Sequence, residues 1–293
     1  MEWIRSNPGT QPSRSFLSET WFHLKKNPLA VTGLFVIISL FLLAIFGPWI
    51  SGYSYFEQNL SERNLYPSVS HWFGTDPLGR DIFTRVSYGA RFSLFIGVAA
   101  ATLDFIIGVI YGGISGLKGG WVDTVMMRIA EALYGIPYLL TVILLSVFLG
   151  QGLWSVIIAM AITGWIPMAR LVRGQVLQMK EQEYVQASRS FGGGTRWLLR
   201  KHIVPNTMGP ILVNLTLTVP SAIFAEATLS FLGLGLSAPR ASWGTMVNDG
   251  LVSLLTGYSY QLLIPAFFIS LTMFAFNVLG DGLRDALDPR MRK

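Results

Sequence analysis

The sequence predicts an all-α integral membrane protein with six transmembrane helices, and three observations carry this prediction. Of the 293 residues, 52% are hydrophobic and only 13% are charged, whereas soluble domains contain about 25% charged residues. The apolar residues form long uncharged blocks and the mean hydropathy is +0.49, as expected for helices that cross a hydrocarbon core about 30 Å thick. The basic residues collect on one side of the predicted spans, in agreement with the positive-inside rule.

The first predicted helix is Leu29 to Ile50, a run of 22 residues without a charge. At about 1.5 Å per residue it is long enough to cross the membrane. It is also too long for the apolar core of a cleaved signal peptide, so we expect it to be retained. Because it is apolar on all sides, we expect it to lie at the edge of the protein and face lipid.

Five further spans are predicted, at residues 92–117, 125–150, 153–172, 207–236 and 260–282. Several of them contain carboxylates or prolines, which are tolerated in a membrane where they face other helices or water. We therefore expect these five helices to form the bundle. Residues 207–236 would measure about 45 Å as one helix, which predicts a kink near Pro220 or a separate turn within Glu226–Leu236.

The orientation follows from the basic residues. With the N-terminus inside, cytoplasmic segments hold 17 of the 22 Lys and Arg residues and outer loops hold five. The net charge of +6 is thereby explained, and nucleic acid is not expected as a partner. The predicted divisions are a cytoplasmic segment 1–28, a peripheral helix 29–50, an extracytoplasmic loop 51–91, a core 92–282 containing a cytoplasmic loop 173–206, and a cytoplasmic tail 283–293.

Three carboxylates within the predicted spans are candidates for lining a transport pathway: Glu226, Asp104 and Glu131. An intramembrane carboxylate is costly and therefore suggests a function. For Glu226 the alternative is a bond between neighbouring helices. Glu131 lies three residues after Arg128, a spacing that allows the two to pair on one helix.

The residue types present argue against catalysis, metal binding and ATP binding by this chain. Cysteine is absent, and the three histidines lie far apart without a metal-ligand spacing,. The P-loop pattern GxxxxGK[ST] is also absent, and no paired catalytic residues occur at one depth. We therefore expect a non-enzymatic chain that binds no metal and no cofactor of its own.

Residues 170–201 carry seven basic and two acidic side chains. Tyr184, Ala187, Ser188 and Phe191 follow the i, i+3, i+4, i+7 spacing of one helix face. The three glycines at 192–194 should stop this helix, since glycine accepts the left-handed conformation. We expect Thr195 to cap a second short helix that ends at Pro205. Charge and periodicity leave two interpretations open, a helix resting on anionic lipid and a helix that docks into a partner's groove.

The same segment resembles the EAA loop of bacterial ABC importer permeases, whose pattern is EAA-x3-G-x9-I-x-L-P. Here Gln186, Ala187 and Ser188 stand at the first three positions, followed by Gly192 and Pro205 at the family spacing. Gln replaces the Glu of the pattern, and Glu183 lies nearby. The resemblance implies that this is the coupling helix that sits in a cleft of an ATPase subunit, and it favours docking. The implied docking residues are Glu183, Tyr184, Gln186, Ala187, Ser188, Phe191, Gly192 and Pro205.

Further motifs are similar to the C-type permease of dipeptide and oligopeptide importers. They are residues 73–81, 226–235, 242–244 and 279–290. The first contains Gly74, Thr75, Asp76, Gly79, Arg80 and Asp81. Between residues 51 and 91 four acidic residues balance four basic ones, so Asp76, Arg80, Asp81 and Arg85 are predicted to pair within a folded segment. The functional alternative is a position at the mouth of the pathway, near a docked binding protein.

The resemblance implies a type I ABC importer permease fold, with the coupling helix between helices 4 and 5, in a bacterial cytoplasmic membrane. It implies a sister permease, two ABC ATPases that bind ATP and Mg, and an extracytoplasmic substrate-binding protein. Peptides are the expected substrate. Nickel or metal chelates, glutathione and oligosaccharides are the alternatives, since their importers share this subunit type. A self-contained channel or secondary transporter is less favoured, because the six spans lack repeats.

Overall fold

The structure of the protein, a computed structural model, describes residues 16–150 and 152–287. These residues form helices and contain no β-strand beyond an isolated bridge between Thr75 and Asp81. The helices are α1 (Phe16–Leu24), α2 (Pro28–Ile50), α3 (Ile82–Lys118), α4 (Gly120–Tyr134), α5 (Tyr138–Leu149), α6 (Leu153–Met179), α7 (Glu183–Ser190), α8 (Thr195–Leu198), α9 (Val204–Phe231), α10 (Trp243–Leu255) and α11 (Tyr260–Leu287). A 3₁₀ turn covers Leu60–Glu62 and a π turn covers Leu199–Ile203.

Five helical stretches are long and apolar enough to cross a membrane: α2, α3, α6, Thr195–Phe231 and α11. The pair α4 and α5 makes a sixth if it is counted as one broken span. The all-α class is thus confirmed, and the described residues hold five or six candidate spans where six were predicted.

The third span differs from the continuous helix predicted at 125–150. It is bent by 79° between α4 and α5, at Gly135 to Pro137. Proline has no backbone N–H to continue the helix, and it disfavours the helical conformation in the residue before it. The prediction of one helix was wrong, because Pro137 separates two helices instead of lying inside one.

Helix α3 begins at Ile82, ten residues before the predicted start. Asp81 caps it, since its Oδ2 accepts hydrogen bonds from Thr84 N at 2.7 Å and Thr84 Oγ1 at 2.6 Å. The helix is 37 residues long, or about 55 Å, and it packs against α2, α6 and α9. It therefore connects the folded segment before residue 82 with the opposite end of the bundle.

Helix α9 passes through Pro220 without a break and ends at Phe231. Of the two predicted alternatives, the separate turn within Glu226–Leu236 is found, because a turn follows Phe231. Gly233 has a φ of +78°, its N–H donates to Ser230 O, and Leu234 N donates to Leu229 O. This is a Schellman motif, which uses glycine at the left-handed position to end a helix.

Helix α2 lies at the edge of the helices that the structure describes. It contacts α3 and α11 along one face, and its remaining faces are exposed. The contact with α11 is close, because a Cβ on Gly33 would lie 2.7 Å from Ala275 O. Small residues at this crossing let the two backbones approach, as is common between membrane helices.

Helix α10 was not predicted. At 13 residues it is too short to cross the bilayer, so a search for long apolar runs passes over it. A capping box between Ser242 and Thr245 begins it, and it packs on α9 and α11. Helices α6 and α11 also continue past their predicted ends at 172 and 282, to Met179 and Leu287.

Candidate functional site

The segment between α6 and α9 forms the predicted helix–glycine turn–helix. Gly192 has a φ of +86°. Its N–H donates to Arg189 O, and Gly193 N donates to Ser188 O. These two bonds make a Schellman motif at the end of α7, which requires a residue that accepts the left-handed conformation. The predicted role of Gly192 in stopping the helix is confirmed.

The second half of this segment differs from the prediction in two respects. Thr195 is the first residue of α8 and makes no capping bond, since Gly194 occupies the cap position. Pro205 does not end a helix but lies in the first turn of α9, directly after the π turn. The wider π turn accommodates the proline ring, so the chain continues helically from Thr195 to Phe231,.

Helix α7 is held to the bundle by Val185, which is 2% exposed. It packs in an apolar cluster with Val176 of α6, Leu198 of α8, Ile203 of the π turn and Leu117 of α3. Val185 was not predicted, because a single apolar residue in a short polar helix gives no periodic signal.

The opposite face of α7 is open. Tyr184 is 44% exposed and Phe191 is 92% exposed, and Ala187 between them is also exposed. Gln186 donates from Nε2 to Glu181 O at 3.2 Å, so its amide caps the preceding turn. This face is small and apolar at its centre and aromatic at both ends, a composition typical of docking surfaces.

A bidentate ion pair lies at the end of the bundle beside this segment. Arg173 Nε and Nη2 each donate to a carboxylate oxygen of Asp123 at 2.6 Å. Ser115 of α3 donates to the same carboxylate. The three side chains join α3, α4 and α6. The pair was not predicted, because 50 residues separate its members.

The 73–81 motif is a folded polar network. Asp76 accepts hydrogen bonds from Arg80 Nε at 2.6 Å and from Arg85 Nη1. Arg85 Nη2 also donates to Asp249 of α10 at 3.0 Å. Burial and the charge of Arg85 lower the pKa of Arg80. Predicted pairing of Asp76 with the two arginines is confirmed, whereas Asp81 instead caps α3 and contacts His71 Nδ1 at 2.9 Å.

The rest of this motif is structural as well. Thr75 is fully buried, and its Oγ1 accepts a hydrogen bond from Leu65 N at 2.8 Å. Gly74 and Gly79 have φ values of +77° and +70°. A Cβ on Gly79 would lie 1.8 Å from Asn59 O, so only glycine fits there.

The three carboxylates proposed for the pathway lie in different environments. Asp104 lines a cavity of about 420 Å³ between α3, α5, α6 and α9, together with Tyr138, Asn214 and Thr218. Glu131 is exposed and pairs with Arg128 at 3.3 Å, as its spacing predicted. It does not line this cavity.

Glu226 is 1% exposed and also lies away from the cavity. Its Oε1 accepts hydrogen bonds from Ser230 at 2.6 Å and Ser242 at 2.7 Å, and its Oε2 accepts one from Ser93 at 3.4 Å. These bonds connect α9 with α3 and with the start of α10. Glu226 therefore fits the alternative prediction, a bond between neighbouring helices. Of the three carboxylates, Asp104 is the one that lines the cavity.

The spans and the exposed helix–turn–helix between them define a multi-pass helical membrane protein. A family model described as "Binding-protein-dependent transport system inner membrane component" matches residues 106–293, so the chain belongs to that family. A second model, described as "N-terminal TM domain of oligopeptide transport permease C", matches residues 15–67. The resemblance drawn from the motifs is confirmed.

Relatives align along nearly the whole chain. It is 61% identical to the dipeptide transport system permease protein DppC of Bacillus subtilis, over 97% of this chain and 88% of the relative. It is 59% identical to the oligopeptide transport system permease protein OppC of the same organism, over 97% and 93%. It is 41% identical to the glutathione transport system permease protein GsiD of Escherichia coli, over 94% and 90%.

Proposed function

We propose that this chain is a permease subunit of an ATP-driven ABC importer that moves dipeptides or oligopeptides across the bacterial cytoplasmic membrane. The observation that carries the proposal is α7, a helix joined to the ends of the membrane helices and presenting an open face. The names of the two relatives at 61% and 59% identity support peptides. The glutathione relative is more distant, at 41%, and glutathione is itself a peptide.

In this proposal α7 is the coupling helix and an ABC ATPase subunit covers its open face. Tyr184 and Phe191 are the aromatic anchors, and Ala187 and Ser188 allow close approach. Gln186 stands where the family pattern has Glu, so contact there depends on shape more than on charge. Glu183 is exposed in the first turn of α7 and is the carboxylate available to a basic partner residue. Pro205 acts indirectly, by starting α9 behind the loop.

The packing of α7 supports a rigid connection. Val185 lies in one apolar cluster with residues of α3, α6 and α9, and the Asp123–Arg173 pair joins α4 to α6. Movement of α7 with an ATPase therefore displaces several spans together. Closure of two ATPases on ATP would move the bundle between outward-facing and inward-facing states.

The remaining partners follow from the same proposal. A sister permease completes the pathway, because the cavity between α3, α5, α6 and α9 is small for a complete translocation path. An extracytoplasmic binding protein delivers the substrate near the 51–81 segment. ATP and Mg belong to the ATPase subunits. Both termini of this chain lie in the cytoplasm, in accordance with its basic residues.

Lipid binding by α7 remains the alternative for this helix. The exposed aromatic residues would suit a membrane surface as well as a protein groove. The connection to α9 through a buried valine favours docking, since a helix that only rests on lipid needs no such anchor.

Reconstitution tests the function. The chain is assembled with its sister permease, the two ATPases and the binding protein in proteoliposomes, and uptake of labelled tripeptide is measured with and without ATP. We expect ATP-dependent accumulation that requires the binding protein. Accumulation of nickel or an oligosaccharide, with none of di-, tri- or tetrapeptides, would contradict the peptide assignment. ATP-independent flux would contradict the class of transporter.

A further inference from the structure

Asp104 is the charged side chain on the cavity between α3, α5, α6 and α9. The other described residues that line it are neutral. Asp104 is 6% exposed, and its Oδ1 is buried without a hydrogen-bond partner. Gly164 packs directly against the carboxylate, since a Cβ there would lie 2.6 Å from Oδ1 and 2.7 Å from Oδ2. The absence of a side chain at residue 164 leaves the space that the carboxylate occupies.

Other buried carboxylates of the described chain are satisfied within it. Glu226 accepts hydrogen bonds from three serines, Asp123 is bound by Arg173, and Asp76 is bound by two arginines. Buried polar groups in proteins are nearly always hydrogen-bonded, and an intramembrane carboxylate is expected to meet a partner. Among the described residues Asp104 Oδ1 has no hydrogen-bond partner, and Asp104 lines the cavity.

We propose that Asp104 receives the primary ammonium group of the substrate during its passage. This inference rests on the proposed peptide transport and adds the contact made by a peptide's amino end within the membrane. An ammonium carries three donors and a compact positive charge, and it can bond the carboxylate while the neutral oxygens of Thr218 and Asn214 accept its other hydrogens. A substrate carboxylate is not attracted there, because none of the described residues that line the cavity is basic.

The size and position of the cavity agree with this role. Its volume of about 420 Å³ falls within the usual range of small-ligand sites, about 300–1,000 Å³. Asp104 lies 14 residues before the end of α3 at Lys118, which is about 21 Å along the helix. The carboxylate therefore lies well inside the span rather than at its end.

The test compares three substrates in the reconstituted complex: trialanine, its des-amino analogue propionyl-dialanine, and propionyl-Lys-Ala, which carries only a side-chain ammonium. Maximal uptake rates are measured at saturating loaded binding protein, and each substrate is compared with itself between wild type and Asp104→Asn. We expect the uptake rate of trialanine to fall about tenfold in the variant, as for loss of a charge-assisted hydrogen bond. The uptake rate of propionyl-dialanine should change by less than about twofold, because it has no ammonium group to lose the contact. A fall for propionyl-Lys-Ala as well would identify the ammonium itself, rather than the peptide's α-amino position, as the recognised group.

Thr102→Val is the matched control. Thr102 lies on the same helix, is exposed, and bonds only Val98 O, so all three rates should stay at the wild-type level. Asp104→Ser, which is smaller and fits the same space, repeats the test if the Asn variant fails to assemble.

Two results overturn the inference while leaving peptide transport in place: equal loss for all three substrates, which assigns Asp104 a structural role, or no loss for any. If the wild-type complex imports none of these compounds, the proposed function fails and the inference fails with it.

Discussion

Arg173 on α6 donates to both carboxylate oxygens of Asp123 on α4, with Nε–Oδ1 and Nη2–Oδ2 distances of 2.6 Å. The bidentate geometry fixes the relative orientation of the two helices at the end of the bundle that holds α7. The exposed pair Arg128–Glu131, also involving α4, is longer at 3.3 Å and has side chains that are 80% and 53% exposed. The two pairs therefore form a matched comparison.

A double-mutant cycle on Asp123→Asn and Arg173→Gln should give a coupling free energy of unfolding of about 1–3 kcal/mol. The same cycle on Arg128→Gln and Glu131→Gln should give about 0–0.5 kcal/mol, since exposed pairs contribute little. Denaturation of the purified permease in detergent measures both. If the coupling free energy of Asp123 with Arg173 were as small as that of Arg128 with Glu131, the first pair would not hold α4 to α6.

Substitutions of Val185 and Phe191 should distinguish the residue that anchors α7 to the bundle from the residue that contacts the ATPase. Val185→Ala removes two buried methyl groups and should lower the unfolding free energy by about 1–3 kcal/mol. Phe191→Ala removes a side chain that is 92% exposed, so stability should stay within about 0.5 kcal/mol. Loss of an aromatic anchor at an interface should weaken ATPase binding by about 2 kcal/mol, roughly thirtyfold.

Thermal unfolding and titration with the purified ATPase measure these two effects. If Phe191→Ala destabilised the permease alone and left ATPase affinity unchanged, Phe191 would belong to the fold and not to the docking face.

Two glycines of the 51–81 segment test its packing. Gly79 and Gly52 have φ values of +70° and +72°, so alanine strains the backbone equally at both. A Cβ at Gly79 meets Asn59 O at 1.8 Å, whereas one at Gly52 meets nothing within 4 Å. Gly79→Ala should therefore be more destabilising than Gly52→Ala by about 1–3 kcal/mol, measured by thermal unfolding and by proteolysis of the segment. Similar effects would mean that the segment does not pack as described.

Glu226→Gln should change stability and leave substrate preference alone. The amide nitrogen of Gln cannot accept a hydrogen bond, so one serine hydroxyl loses its acceptor, at a cost of about 1–3 kcal/mol. The ratio of uptake rates among peptides of different length should match wild type, because Glu226 lies away from the cavity. An altered ratio of uptake rates would show that Glu226 contacts the substrate along the pathway.

The features that the sequence predicted are those with a strong local signal. Long uncharged runs located α2, α6 and α11, and the triple glycine located the turn at Gly192. The start of α3 was placed late, because its first turns carry Arg85 and Arg91 and contain no apolar block. Helix α10 is too short for a span, and its place depends on contacts with α9 and α11.

The site was predictable only where its residues are close in sequence. The exposed face of α7 follows from the spacing of Tyr184 and Phe191. The partner of Asp123 lies 50 residues away, and the cavity at Asp104 exists only because α3, α5, α6 and α9 converge. Whether a carboxylate is satisfied, as Glu226 is, or unmatched, as Asp104 is, depends on tertiary packing that periodicity does not encode.

The docking of α7 onto an ATPase is tested most directly by paired substitutions in its turn. Gly192 has a φ of +86°, Gly194 has a φ of −73°, and neither has an atom within 4 Å of an added Cβ. Valine is strained at the first position and is tolerated at the second. The measurement is the amount of ATPase that co-purifies with each variant, with the binding-protein-stimulated ATP hydrolysis of the complex. We predict that Gly192→Val loses most of both while Gly194→Val keeps both. Wild-type levels in both variants would contradict the assignment of α7 as the coupling helix.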